Sequence, residues 1–305
     1  MADLELNNYI PVEDCRWFYQ HSSEMLSTEL SKSLVLSYLV VIKEFRFYGK
    51  RKKQIFDNDL PELILSAVLK MQGFLSSSLA TEKYSTLINL IQNFPHCMAK
   101  NVMHWLPILL VNLCDLNLPV YIKSIFTGVQ TLLEASRSFI ENKNVLFTVR
   151  RFLDSQLPSE VKSLVSDQPI IPSSQFDSVD LQNIVAFDFI VSNLEELIRI
   201  GQYQLAMDIW VSITLLTFNH DHGYECWDNL LRWLKIHKFC FNQLSNEAKL
   251  IALKSWRAVV YNVCRGDLAD VMKKSIDDPA VASAAKSKIK LLVHPLLNVT
   301  AVENQ

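Results

Sequence analysis

A chain of 305 residues is long enough to bury a sizeable core, as one elongated domain or two ordinary ones. Half its residues are hydrophobic, yet it has only 6 glycines and 10 prolines. That scarcity excludes Gly-rich phosphate loops and many-stranded sheets and points to an all-α chain. With 30 basic and 32 acidic residues the formal charge is -2, so any affinity for nucleic acid or membrane must rest on local patches.

The region before Ser22 reads as a frayed N-terminus (1–21), with neither the basic flank nor the apolar run of a secretory signal. From Ser22 onward helical periodicity dominates, and it predicts helices over 22–47, 60–75, 81–92, 96–114, 119–139 and 143–152. Together these form a first helical sub-stack, 22–165. Pro107 is expected to kink or end its helix. The stretch Ser166-Asp-Gln-Pro-Ile-Ile-Pro-Ser-Ser-Gln175 breaks the pattern and reads as a loop, 166–177.

A second sub-stack, 178–300, follows. Ile184, Phe187, Val191, Leu194 and Ile198 step by three and four along one helix face, and Gly201 ends that helix. The next helix, 203–216, is apolar almost all round, which implies a central position. Others are predicted over 224–236, 246–264 and 279–297, the last opened by Asp278 as N-cap and Pro279. Within 246–264, Leu253, Trp256, Val260 and Val263 fall on one stripe, which Arg257 leaves by about 100 degrees. Helix pairs of roughly 35 to 45 residues fit a HEAT/armadillo-like helical-repeat solenoid; a compact all-α bundle is the other packing.

No apolar run reaches the about 18 to 20 residues of a transmembrane helix, so no membrane association is expected. The six cysteines (Cys15, Cys97, Cys114, Cys226, Cys240, Cys264) contain no Cys-x-x-Cys pair and read as free thiols of an intracellular protein. His220-Asp-His222 with Cys226 has acceptable metal-ligand types but lacks a convincing fourth ligand, so no metal is expected. Glu195-Glu196 reads as helix surface and Asp277-Asp278 as a helix cap. There is no nucleophile elbow, Walker-type loop or HExxH motif, which leaves nothing that argues for catalysis or a cofactor.

The densest basic cluster is Lys50, Arg51, Lys52 and Lys53, set among aromatic residues. It fits phosphate contact with base stacking, a nuclear-import tetrapeptide, or a solvated inter-helix loop. Four phosphate contacts would give a log-affinity against log-salt slope of roughly -3.6. Lys273 and Lys274 with Lys286, Lys288 and Lys290 form a second basic region, in which Lys286 and Lys290 share a helix face that is either solvated or DNA-facing. Lys143, Val145 and Phe147 fit a loose phosphatase-docking pattern, although Val145, Leu146 and Phe147 also read as core of a helix. Trp210, Trp227, Trp233 and Trp256 sit at helical spacing among Leu and Val and read as core rather than as a base-stacking surface.

In order and spacing, five segments resemble the N-terminal helical-repeat region of the Rap-interacting factor one family. They are Leu205-Ala-Met-Asp-Ile-Trp-Val-Ser-Ile-Thr-Leu-Leu216, Cys226-Trp-Asp-Asn-Leu-Leu-Arg-Trp-Leu234, Lys238-Phe-Cys-Phe-Asn242, Ala252-Leu-Lys-Ser-Trp-Arg-Ala-Val-Val-Tyr-Asn-Val-Cys264 and Ala285-Lys-Ser-Lys-Ile-Lys-Leu-Leu-Val-His-Pro-Leu296. The resemblance is carried by roughly 183–296. It implies a HEAT-type solenoid, a nuclear location on chromosomes and telomeres, DNA binding, and non-enzymatic roles in telomere maintenance, replication timing and break repair. As partners it implies DNA, telomere-bound proteins and a type-one protein phosphatase. Members of that family are many times longer, and functions of their tails lie outside this chain. A generic HEAT/armadillo adaptor without DNA affinity is the rival expectation.

Overall fold

The computed structural model describes residues 10–26, 32–44, 47, 49–56, 59–71, 77–113, 122–157, 184–217 and 227–265, together with 283, 286, 290 and 293. The chain divides into two compact units, Met1–Phe139 with Arg151–Ala186, and Ile140–Arg150 with Phe187–Gln305. Among the described residues there is no strand beyond one antiparallel bridge, Gln156 with Val185. No helix there is long and apolar enough to cross a membrane.

Among the described residues the first unit has, up to Phe139, the helices α1 (Val12–Leu26), α2 (Lys32–Glu44), α3 (Gly49–Ile55), α4 (Leu60–Lys70), α5 (Ser77–Asn93), α6 (Pro95–Lys100), α7 (Val102–Leu113) and α8 (Ile122–Phe139). A repeated order emerges from the packing. Among the described residues α5 packs on both α2 and α8. Between them come a short helix and a medium one, α3 with α4 and then α6 with α7. The repeat is thus a triplet with a short first helix, of armadillo type, rather than a simple pair. Gly128 makes the tightest of these contacts possible: a Cβ there would meet Leu113 Cδ2 at 2.8 Å and the Tyr84 ring at 3.1 Å.

Several boundaries differ from the sequence reading. Of the expected frayed N-terminus, 1–21, residues 1–9 lie outside the described residues and Val12 onward is a helix instead, because Cys15 and Tyr19 are buried, with Tyr19 against Phe47 and Phe56. Burial drives the Tyr19 hydroxyl pKa far above its ordinary value. The expected helix 96–114 breaks at Asn101, whose side chain turns back to the Cys97 carbonyl at 3.0 Å. Pro107 does not end α7; it lies inside that helix and is buried. Lys83 on α5 is also buried, with Nζ donating to the Met71 carbonyl at 3.3 Å, and desolvation lowers its pKa to about 8.

Next comes α9 (Lys143–Leu153), whose first residues belong to the second unit, where Arg150 Nε donates to the Thr217 carbonyl. This differs from the expected single block 22–165; the loop expected at 166–177 lies outside the described residues. The second unit continues with α10 (Ala186–Arg199), α11 (Tyr203–Thr217), α12 (Leu230–Phe241), α13 (Asn246–Ser255) and α14 (Arg257–Arg265). Gly201 does terminate α10, with φ at +83°.

Its core is an aromatic cluster locked by polar bonds. Trp210 and Trp233, both fully buried, stack with centroids 6.2 Å apart and planes 9° apart. Trp210 Nε1 donates to the Trp233 carbonyl at 3.0 Å, and Trp233 Nε1 donates to Thr214 Oγ1 at 2.9 Å. His237 lies between Trp210 and Trp256, 5.2 Å and 4.7 Å from their ring centres, and its Nε2 meets the Ala252 carbonyl at 2.7 Å. Both Trp210 and Trp256 are therefore core, as their spacing predicted. The expected single helix 246–264 breaks at Trp256, and this re-aims its stripe: Ala252, Ser255, Val259 and Asn262 are buried, while Val260 is exposed.

Candidate nucleic-acid interface

Lys50, Arg51, Lys52 and Lys53 form most of α3 rather than a loop. Successive residues on a helix point about 100 degrees apart, so four adjacent cations cannot share a face. Arg51 turns inward, bonding the Ile10 carbonyl and lying 5.9 Å from the Phe47 ring centre. Lys52 Nζ donates to the Asn93 carbonyl at 2.7 Å and lies 4.7 Å from the Phe94 centre, with desolvation lowering its pKa. Two of the four charges thus hold α3 in place. Lys50 and Lys53, three apart, are exposed, and the slope available to this cluster falls from roughly -3.6 to about -1.8.

Lys286 and Lys290 are helical and exposed, on the same face as exposed Ser283 and Val293. The docking pattern at Lys143, Val145 and Phe147 falls on a helix, as the core reading of these residues had it, but only part of it is core. The segment is helical, Val145 is buried, and Phe147, expected in the core, is 68% exposed. A docking strand needs an extended backbone with both apolar side chains free, and this helix presents only one of them. His220, Asp221, His222 and Cys226 lie outside the described residues; within those, no group of three metal-ligating side chains gathers.

The sequence reading passed over a basic stretch in the second unit. Between Leu230 and Arg265, α12 to α14 carry Arg232, Lys235, Lys238, Lys249, Lys254, Arg257 and Arg265 against a single acid, Glu247. Arg232 is held by Asp188 at 2.6 Å and lies over the Phe187 ring at 4.9 Å. Lys235, Lys238, Lys254 and Arg257 are exposed and have no ion-pair partner among the described residues; Arg257 Nε donates to the Lys254 carbonyl at 2.9 Å. Lys235 and Lys238 share one face of α12. Lys254, Arg257 and half-exposed Tyr261 step by three and four along α13 and α14. The tryptophan core fixes the backbone that carries them, since Trp210 bonds α11 to α12 and His237 bonds α12 to α13. These charges stand three or more apart, so a search for adjacent lysines misses them. A running charge count over a 35-residue window would have found them.

The model of the family described as Rap1-interacting factor 1 N terminal matches residues 4–300, well beyond the 183–296 that carried the resemblance. A curated relative, the telomere length regulator protein RIF1 of Saccharomyces cerevisiae, is 20% identical over 261 residues, covering 83% of this chain and 13% of the relative. The crystal structure of the Rif1 N-terminal domain from that yeast superposes with a TM-score of 0.71 at 16% identity, covering 97% of this chain and 27% of the other. The same domain solved in complex with DNA gives a TM-score of 0.67 at 18% identity, covering 93% and 27%. These superpositions establish the all-α helical-repeat fold, and the chain spans about a quarter of the solved domain and about an eighth of the full-length yeast relative. By the match of its family model along nearly its whole length, the chain belongs to the Rap1-interacting factor 1 N-terminal family.

Proposed function

We propose that this chain is a non-enzymatic, DNA-binding part of a nuclear chromatin scaffold acting at telomeres. The observation that carries the reading is the basic stretch of α12 to α14, where Lys235, Lys238, Lys254 and Arg257 stand exposed on helices joined by a buried core. Lys50 and Lys53, and Lys286 with Lys290, are secondary phosphate contacts. The relative's description as a telomere length regulator, and the solution of its N-terminal domain with DNA, support the same reading. Binding of this kind is electrostatic and fixes the protein on the backbone without reading sequence.

Telomere-bound proteins are the natural further partners, and roles in replication timing and repair would follow from retention on chromatin. A type-one phosphatase, if it binds this chain, does so elsewhere than at Lys143, Val145 and Phe147, because Val145 is buried in a helix. The test is fluorescence anisotropy with duplex DNA across a salt series. Replacing Lys235, Lys238, Lys254 and Arg257 by Gln removes about 3.6 from the log-log slope. Salt-independent or absent binding refutes the proposal and leaves the protein adaptor without DNA affinity.

A further inference from the structure

One face of α1 carries Asp14, Trp17, Phe18 and His21, at helical spacings of three and four. The Trp17 indole stacks on His21, with centroids 4.9 Å apart and planes 9° apart, and yet is 63% exposed. Every other tryptophan of the chain is 7% exposed or less. A large flat apolar ring held rigid in solvent is costly unless something covers it. Beside it lies a cavity of about 360 Å³, lined by Ile10, Asp14 and Cys15 and by the aromatic rings of Trp17, Phe18, Tyr19 and Phe47. That volume is in the range of small-ligand sites, about 300 to 1,000 Å³.

The charge around the cavity is divided. α3 packs on α1, and Arg51 bonds the carbonyl of Ile10 in the cavity wall, which sets α3 alongside it. From α3 the exposed Lys50 and Lys53 reach solvent. Asp14 supplies a carboxylate at the wall, on the α1 side. Aromatic walls, an acceptor within and cations to one side match a nucleotide of a single strand. Its base stacks on rings, its edge donates to a carboxylate, and a phosphate meets a lysine.

We propose that this cavity takes one unpaired base of single-stranded DNA, stacked on Trp17, with Lys50 on a flanking phosphate and Asp14 accepting from an exocyclic amino group. Asp14 and Glu13 repel phosphate, which keeps the strand's backbone on the α3 side. Cytosine offers its N4 amino group to the carboxylate. Thymine has a carbonyl oxygen, O4, where cytosine has that amino group and offers only its ring N3–H, so it is disfavoured. The inference rests on the DNA-binding reading above but uses a different unit of the chain and a different form of DNA.

Trp17 is its own reporter, because the five other tryptophans are buried. In the full chain, acrylamide quenches Trp17 readily, and a twelve-residue oligo-dC quenches the same emission saturably and more strongly than oligo-dT of equal length. Asp14→Asn removes the difference between the two. In anisotropy with labelled oligo-dC, Trp17→Ala weakens binding about tenfold while Trp17→Phe, which keeps a stacking ring, retains most of it. Two results overturn the inference: a Trp17 emission shielded from acrylamide in the free chain, which means that the chain itself fills the cavity, or oligo-dC binding that leaves Trp17 unquenched. Duplex binding measured in parallel separates the two failures. If duplex is bound in the usual salt-dependent way while Trp17 stays silent, only the base site is wrong.

Discussion

His237 should make the second unit acid-sensitive. It is buried between Trp210 and Trp256, and desolvation lowers its pKa from 6.5 to about 4, opposed in part by the bond to the Ala252 carbonyl. The unfolded chain takes up the proton from pH 6.5 downward, the folded chain only near pH 4. More protons are therefore bound in the unfolded state across that window, and stability is present above it and lost as pH falls through it. At pH 7 the imidazole is neutral in both states and the effect is near zero. At pH 5 the unfolded histidine is almost fully charged and the folded one is not, which costs about 2 kcal/mol relative to pH 7. The assay is urea unfolding followed by tryptophan fluorescence at both pH values, for the wild type and for His237→Gln. The amide of glutamine can donate to the Ala252 carbonyl but does not titrate. The wild type should lose about 2 kcal/mol more than the variant on going to pH 5. An equal loss in both, or an imidazole that titrates by NMR near 6.5, would refute the argument.

Other perturbations test other parts of the fold. Buried Lys83, with its pKa lowered to about 8, binds its proton less well folded than unfolded, so stability should rise between pH 8 and 10.5; Lys83→Met should abolish that rise in the melting temperature. Gly128→Val forces α8 away from Leu113 and Tyr84 and should cost about 1 to 3 kcal/mol by denaturant titration, a value near zero meaning that the contact is looser than described. Thr214→Val leaves the Trp233 indole N–H buried without its acceptor and should cost about 1 to 3 kcal/mol. Trp256→Ala, which opens a cavity beside His237, should cost about 3 to 5 kcal/mol and also raise the His237 pKa, seen by NMR as water enters.

The sequence by itself determined the helical class, the buried tryptophans, the stop at Gly201 and the family. Each of these depends on local chemistry: periodicity of three and four, scarcity of glycine, a left-handed cap, and motif order. It also showed which residues were charged, but not where the charges pointed. Lys50 to Lys53 look uniform in the string, yet helix geometry and the neighbours Ile10, Asn93 and Phe94 split them into two anchors and two exposed cations. Lys235, Lys238, Lys254 and Arg257 are unremarkable as text, and all four are left exposed when Trp210, Trp233 and His237 draw α11 to α13 together. Val145 and Phe147 look alike in the docking pattern, and packing buried the first and left the second in water. The triplet order, too, depends on α5 packing on both α2 and α8. Local propensity acts over one helix turn, whereas direction, burial and neighbourhood are set by contacts tens of residues apart, and only the tertiary structure decides those.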